Sequence, residues 1–187
     1  MVGLVPSVHD ESAPGDLELV RTFINTYDLM PLPGKEELGT PGQLRTWLAQ
    51  RGLLAADASV DEAGWRRALE VREALRALIA SQGDPPAAAA AAALLDAAAA
   101  RAPLCVHFAD GETRLAPTDR GIDGALSRLL AIVHDAMRTG AWQRMKTCGD
   151  PACVWAFYDH SKNRSGVWCS MASCGNRNKA RRRRAHA

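Results

Sequence analysis

The sequence predicts a mainly α-helical protein of the α+β class, with a helical N-terminal domain, one small β-hairpin and a short cysteine-rich module at the C-terminal end. Three observations predict this. Apolar residues recur three and four positions apart through most of residues 16–139, four cysteines cluster beyond them, and basic residues follow. With 187 residues, 47% of them hydrophobic, the chain can form a packed core. We divide it into a helical body, residues 1–140, and a module, residues 141–187.

The first half of the helical body contains apolar stripes bounded by helix start and stop signals. Residues 1–16 are expected to form a flexible start or a short edge element. The first helix is expected from Asp16 onward. A second helix begins at the cap Thr40 and ends at Gly52, and a third opens with a capping box at Ser59–Glu62 and ends near Gly83. The stripes of the first three helices are Val20, Phe23, Ile24 and Tyr27; Leu44, Trp47 and Leu48; and Ala68, Val71, Leu75, Leu78 and Ile79.

The second half of the body adds an alanine-rich helix, a hairpin and a last helix. From Asp84 to Ala100 most residues are alanine, the residue of highest helix propensity, and we expect a packed or spacer helix. Two alternating runs, 103–108 and 112–116, flank an Asp-Gly turn and are typical of a β-hairpin. The last helix runs from about Asp123 to Thr139, closes at Gly140, and buries Ile122, Leu126, Leu129, Leu130, Val133 and Met137.

Charge is divided unevenly between the two regions. From Arg144 to the end there are ten Lys or Arg and two Asp or Glu, a formal charge of +8, whereas the remainder carries −6. Such a basic end favours an anionic partner, nucleic acid above all. No apolar run reaches the roughly 18 residues of a membrane span. We therefore expect a cytoplasmic, nucleoid-associated protein with no membrane contact.

Four cysteines carry the strongest functional signal. Four residues separate Cys148 from Cys153, four separate Cys169 from Cys174, and fifteen lie between the pairs. In a reducing compartment this spacing indicates metal ligands rather than disulfides. Four thiolates complete the tetrahedron that zinc prefers and leave no position for water. We expect one structural Zn²⁺ and no catalytic role for it.

The second cysteine pair lies at an expected helix start. If Ser170 caps that helix, Cys169 precedes the cap and Cys174 is the fourth residue inside it. These positions normally hold the hydrophobic staple, so the metal would replace that contact.

Between the pairs, Trp155 and Phe157 alternate along an expected strand that covers the metal, with 159–166 as its turn. Turn, hairpin and helix, with the last ligands at the helix start, make a treble-clef-like arrangement.

The helix from Ser170 leads into the basic end of the chain and carries the candidate nucleic-acid contacts. Arg177, Arg181 and Arg184 share one face, on which guanidinium groups can bind phosphates or guanine edges. Lys179, Arg182 and Arg183 widen this face, and Asn176 and Asn178 can read adenine edges. The alternative is a solvated tail that only aids solubility. The candidate set is Arg164, Asn176, Arg177, Lys179, Arg181, Arg182 and Arg184.

The module resembles a known zinc finger. The runs Cys153–Asp159, Asn163–Arg164, Trp168–Met171 and Cys174–Arg177 are similar to the CGNR zinc finger, which is named for the four residues found here at 174–177.

The helical body resembles the ABATE domain. The similarity lies in Phe23–Asp28 and Glu37–Pro41, followed by Leu44 and Trp47–Leu48. The two families usually occur together in bacterial proteins described as stress-induced transcription regulators. The resemblance therefore implies a DNA-binding zinc finger behind a helical domain. It supplies neither a target sequence nor an effector.

Five further residues have both a functional and a structural interpretation. Asn25, Asp28 and Trp47 are candidates for a small effector pocket, but helix capping and a hydrogen bond to the following loop are the favoured interpretation of the polar residues. Cys105 lies in an expected strand and is interpreted as a buried core thiol. His160 is an alternative zinc ligand, which four available cysteines disfavour.

The sequence thus predicts a zinc-binding, DNA-binding transcription regulator whose body senses a ligand or mediates association, for example as a homodimer. Two alternatives stay open: an RNA-binding or ribosome-associated factor, and a protein-interaction module with structural zinc. The sequence shows no phosphate-binding glycine loop, nucleophile elbow or paired catalytic carboxylates, and we expect no enzyme.

Overall fold

The structure, a computed structural model, describes residues 12–30, 34–109 and 111–185. Most of the expected flexible start, residues 1–11, lies outside this range. Within it, no helix combines the length and apolar character that crossing a membrane requires. The helices are α1 (Leu17–Ile24), α2 (Pro41–Gln50), α3 (Glu62–Ala80), α4 (Pro85–Arg101), α5 (Ile122–Thr139) and α6 (Asn176–Ala185). The antiparallel strand pairs are β1 (Tyr27–Asp28) with β2 (Lys35–Glu36), β3 (Leu104–Ala109) with β4 (Glu112–Pro117), and β5 (Met145–Thr147) with β6 (Ala156–Tyr158). The expected α+β class is confirmed.

Side-chain caps define where the helices of the body begin. Thr40 accepts a hydrogen bond from the Gln43 amide, which confirms the expected start of α2. Helix α3 is capped by Asp61, whose carboxylate accepts from the Gly64 amide at 2.7 Å. The capping box with Ser59 as the cap is therefore wrong. Asp61 lies directly before the helix and satisfies an amide that the first turn leaves unpaired.

One apolar core runs through the body. Its centre is formed by α1, α2, α3 and α5, and α4 packs against α3 and α5 through Ala91 and Leu95. The alanine-rich segment is therefore a packed helix. Burial of this apolar surface is the main term that stabilises the fold. The largest side chains with less than 2% exposure include Phe23, Ile24, Leu38, Leu44, Leu48, Leu75, Leu126 and Leu129.

Three positions expected to be buried in the body lie elsewhere. Tyr27 leaves the α1 stripe and forms part of β1, because α1 ends at Ile24. Met137 is 44% exposed near the end of α5. Cys105 on β3 is exposed, so its assignment as a core thiol is wrong. The reason is that β4 packs against α5, while residues 105–108 of β3 face solvent.

The cysteine-rich module packs directly on the helical body. Trp142, Met145, Ala156 and Tyr158 are buried in the same apolar core as the helices of the body. Beyond the end of α3, the side chain of Gln82 donates to the carbonyl oxygens of Trp142 and Met145 at 3.0 and 2.9 Å. The two regions therefore share one core instead of being joined by a flexible linker.

Candidate metal centre

The four predicted ligands converge at one point. Cys148, Cys153, Cys169 and Cys174 are buried, and their sulfur atoms lie within 4.8 Å of one another. The Sγ atom of Cys169 is 3.8 Å from that of Cys153 and 3.6 Å from that of Cys174. A tetrahedral site with Zn–S bonds of about 2.3 Å has sulfur atoms about 3.8 Å apart, so the cluster has the size of a ZnS₄ site.

The first pair lies in the turn of the β5–β6 hairpin. The Cys148 amide donates to the Trp155 carbonyl at 2.9 Å, and the Cys153 amide donates to the Asp150 carbonyl at 2.8 Å. The expected strand exists as β6, which contains Phe157 but begins one residue after Trp155, and it pairs with β5, which precedes the ligands. The described residues 159–175 contain no strand, so the expectation that 159–166 is the hairpin turn is wrong.

The second pair lies around a helix cap, as the sequence predicts. Ser170 is the cap of a single π-helical turn, Met171–Gly175, and its hydroxyl accepts from the Ser173 amide at 3.4 Å. Cys169 precedes the cap and Cys174 lies inside the turn, which continues directly into α6. The ligands of this pair therefore hold the start of the basic helix.

Aromatic side chains surround the four sulfur atoms. Phe157 is buried in the cysteine cluster, and the partly buried Trp155 and Trp168 pack against it. An apolar shell of this kind limits the access of water to the ligands and to a bound ion.

Four buried thiols cannot all ionise without a cation. Hydrogen bonds from Cys153 and Cys169 lower the pKa of Cys148, whereas hydrogen bonds to Cys148 raise the pKa of Cys153 and of Cys169. A divalent ion between the sulfurs offsets the repulsion among four thiolates. Donor set, spacing and burial therefore fit one structural Zn²⁺. His160 lies outside this cluster of ligands, with Nε2 2.8 Å from the Ser12 carbonyl oxygen.

A buried carboxylate connects the first cysteine pair to α6. Asp150 is fully buried, and its Oδ2 accepts from Arg177 Nε at 2.7 Å, while Arg181 Nη2 lies 3.6 Å from Oδ1. Burial by itself raises the pKa of Asp150, but the hydrogen bonds from Arg177 and the Ala152 amide lower it further than burial raises it. Arg177 Nη2 also donates to Cys174 Sγ at 3.1 Å.

Asn178 completes this set of contacts, which we call the Asp150 network (Asp150, Arg177, Asn178 and Arg181). Asn178 is buried; its Nδ2 donates to the Cys174 carbonyl oxygen at 2.9 Å and its Oδ1 accepts from Arg181. The structure thus brings two predicted nucleic-acid contacts, Arg177 and Arg181, together with residues of the metal centre. The exposed candidates on α6 outside the network are Asn176, Lys179, Arg182 and Arg184.

Arg164, the remaining candidate, is exposed in a loop organised by Asp159. The Asp159 carboxylate is buried and accepts from Lys146 Nζ at 2.6 Å and from the amides of Ser161 and Gly166 at 2.9 and 2.8 Å. Burial raises the pKa of Asp159, but these hydrogen bonds outweigh that effect and lower it. The backbone of Arg164 has a φ of 52°, in the left-handed region that residues other than glycine adopt uncommonly.

The three residues considered for an effector pocket lie in different surroundings. Asn25 is buried and forms two hydrogen bonds with the backbone of Ala156, not with the loop that follows α1. Trp47 is buried beneath the guanidinium of Arg51, 3.9 Å from the ring centre. Asp28 lies half-buried in β1. An open groove along α2 is lined by Trp47 but by neither of the other two.

Sequence reasoning missed the roles of the two acidic residues in the basic module. From the sequence, Asp150 is assigned no role and Asp159 is placed only in a turn, yet both are buried and paired with cations. Their rarity was the available signal, since they are the two acidic residues among the twelve charged ones from Arg144 onward.

Fold and site define a zinc-finger protein in which a helical domain and a four-cysteine module share one core. The model of the CGNR zinc finger family matches residues 144–187. The model of the ABATE family, described as "Putative stress-induced transcription regulator", matches residues 17–139. The chain therefore belongs to the ABATE family and carries a CGNR zinc finger, as the motifs predict. A comparison with curated proteins finds no match.

Proposed function

We propose that this protein is a DNA-binding transcription regulator whose zinc module and basic helix α6 contact the nucleic acid. The observation that carries the proposal is the exposure of α6. From Lys179 to Ala185 every residue is exposed, and five of these seven are Lys or Arg. A helix of this kind offers several phosphate contacts. Membership of a family described as transcription regulators supports the same function.

DNA is favoured over RNA because of the shape of this surface. The major groove of B-DNA, about 12 Å wide, admits an α-helix, whereas the major groove of A-form RNA is too narrow for side chains to read. Single-stranded RNA would instead need exposed aromatic rings for stacking, and Trp155 and Trp168 pack against the metal centre.

The zinc ion has a structural role in this proposal. It joins the β5–β6 hairpin to the start of α6, which fixes the direction in which the helix leaves the module. The four cysteine sulfurs complete the tetrahedron, so no coordination position is left for a water molecule.

The helical body is proposed to sense a ligand or to mediate association. Support comes from its contacts with the module: Asn25 binds Ala156, and Arg76 donates to the Val154 carbonyl at 3.0 Å and to the Ile24 carbonyl at 2.6 Å. A change in the position of α1 or α3 would therefore reach the zinc module directly.

Fluorescence anisotropy with zinc-loaded protein tests the proposal. Labelled duplex DNA should bind at low salt, and log affinity should fall linearly with log salt concentration, by about 0.9 per phosphate contacted. Competition with structured RNA decides between the two polymers. Absence of binding to either at low salt would contradict the proposal. Unchanged DNA binding after deletion of residues 180–187 would exclude the basic end as the contact. A protein-interaction module instead predicts that the protein binds neither polymer and that the same deletion leaves its function intact.

A further inference from the structure

Helix α6 presents two chemically different faces. Successive residues of an α-helix are rotated by about 100°, so Arg177, Asn178 and Arg181 fall on one side and Asn176, Lys179 and Arg183 on the other. The first side contacts the metal centre through the Asp150 network. On the second side all three residues are exposed. The two sides are therefore available for different tasks.

Arg177 is bound at two points of its guanidinium group. Nε donates to the fully buried carboxylate of Asp150 at 2.7 Å, and Nη2 donates to the sulfur of Cys174 at 3.1 Å. A charge-assisted hydrogen bond to a ligand sulfur stabilises its thiolate form, and one to a buried carboxylate prevents an unpaired charge in the interior. To reach a phosphate, Arg177 would have to leave both partners.

The network also sets the direction of the helix. Asp150 lies between the ligands of the first pair, and its partners Arg177 and Arg181 lie on the first turns of α6. Asn178 donates to the Cys174 carbonyl at 2.9 Å, within the π-helical turn that precedes α6. The contacts of Asp150 and of the Cys174 carbonyl oxygen thus connect both cysteine pairs to the same face of α6, in addition to any bonds between the sulfur atoms and zinc.

We propose that Arg177 is a positioning residue that ties α6 to the zinc site, and that nucleic acid meets the opposite face, formed by Asn176, Lys179 and Arg183. The second half of this statement rests on the proposed function. It differs from the sequence-based expectation, in which the face of Arg177, Arg181 and Arg184 meets the nucleic acid.

Zinc release tests the role of Arg177 without reference to nucleic acid. The full-length zinc-loaded protein is mixed with a chromophoric chelator and the rate of zinc transfer is measured. Arg177→Gln should release zinc about 10- to 100-fold faster than the unchanged protein, the range typical for lost contacts to metal ligands. Arg177→Lys keeps the charge but lacks the planar fork, and should be intermediate. Arg114→Gln, a charge-matched change of an exposed residue on β4, should release zinc at the unchanged rate.

A second variant keeps the test decisive if Arg177→Gln fails to fold. Asp150→Asn removes the other half of the pair, and combining Asp150→Asn with Arg177→Lys should accelerate release by less than the product of the single effects, because both changes break one interaction. Release at the unchanged rate in Arg177→Lys and Asp150→Asn would overturn the assignment of Arg177.

Anisotropy with duplex DNA tests the opposite face. The double variant Lys179→Gln/Arg183→Gln should weaken binding uniformly across sequences and reduce the salt slope by about 2. Arg177→Gln, checked to hold one zinc per chain, should keep the salt slope of the unchanged protein, as should Arg114→Gln, because neither side chain contacts a phosphate in this arrangement. A salt slope reduced by about 1 in zinc-loaded Arg177→Gln, with the slope of the double variant unchanged, would overturn the assignment. If the unchanged protein binds no polymer, the proposed function and the outward face both fail, whereas zinc release still decides the role of Arg177.

Discussion

The side chain of Asn25 forms two hydrogen bonds with the backbone of Ala156. Its Nδ2 donates to the Ala156 carbonyl oxygen at 2.8 Å, and its Oδ1 accepts from the Ala156 amide at 2.8 Å. The amide group thus pairs with β6 as a neighbouring strand would. Because Asn25 follows α1 and Ala156 lies between the two cysteine pairs, these bonds fix the zinc module on the helical body.

Replacing this amide should destabilise the whole protein. In Asn25→Ala both buried backbone groups of Ala156 lose their partner, and we expect the free energy of unfolding to fall by about 2–4 kcal/mol. Urea unfolding of the zinc-loaded protein, followed by tryptophan fluorescence, measures this. Asn163→Ala, at an exposed loop position, is the control and should change stability by less than about 0.5 kcal/mol. Equal effects of the two changes would contradict the contact.

Each chain should bind one zinc ion through its four clustered cysteines. Cys174→Ser should lose the metal, and Cys105→Ser should retain it, because Cys105 is exposed on β3 and lies outside the cluster. Metal content per chain, measured by atomic emission, distinguishes the two variants. Loss of zinc from Cys105→Ser would contradict the assignment of ligands.

Removal of the zinc should also weaken the body, since module and body share one core. Addition of a strong chelator is expected to lower the unfolding temperature of the whole chain instead of leaving a body transition unchanged. Differential scanning calorimetry with and without chelator measures this. A body transition at the same temperature in both samples would show that the shared core contributes little.

The ion pair between Glu36 and Arg72 should make stability depend on pH. Both carboxylate oxygens of Glu36 accept from the buried guanidinium at 2.7 Å. Burial raises the pKa of Glu36, but the hydrogen bonds from Arg72 and the Leu38 amide outweigh it and lower the pKa below the ordinary 4.5. The contribution is therefore present above pH 4.5 and is lost as the pH falls through the lower value in the folded protein.

Comparison with Glu36→Gln isolates this contribution. At pH 7 the variant should be less stable by about 2 kcal/mol, and the difference should shrink as the pH falls below 4.5. Acid weakens zinc binding in both proteins alike, so that effect cancels in the difference. Glu62→Gln, which removes the exposed ion pair with Arg66, is the control and should lower the free energy of unfolding by less than about 1 kcal/mol. A difference that stays constant down to pH 3 would contradict the prediction.

Helix α4 should contribute to stability through packing as well as through its alanine content. Leu95 packs against the core and is 8% exposed. Leu95→Ala should lower the free energy of unfolding by about 2–3 kcal/mol. Ala93→Gly, at an exposed position of the same helix, should cost only about 1 kcal/mol through helix propensity. Thermal unfolding of both variants compares the two terms, and equal costs would indicate a helix that is not packed.

Much of the fold was predictable from local sequence. Helix starts such as Thr40 depend on a cap and the next three residues, and the β3–β4 hairpin depends on its turn and on alternation, so both could be inferred. The errors occurred where neighbours in space decide. The strand containing Phe157 was predicted, but its pairing with β5 was not, because the sequence does not specify which segment supplies the other strand. Cys105 was placed in the core, although the described part of the chain leaves it exposed on β3.

The sequence by itself determined the zinc site. Four residues separate the ligands within each pair, and Cys169 and Cys174 lie close in sequence to the cap at Ser170, so the geometry of each pair is local. Only the tertiary structure decided what surrounds that site. Asn25 and Ala156 are 131 positions apart, and Asp150 meets Arg177 only after both cysteine pairs have closed. Helical periodicity shows which residues share a face of α6. What that face contacts depends on the packing of distant segments, which periodicity does not encode.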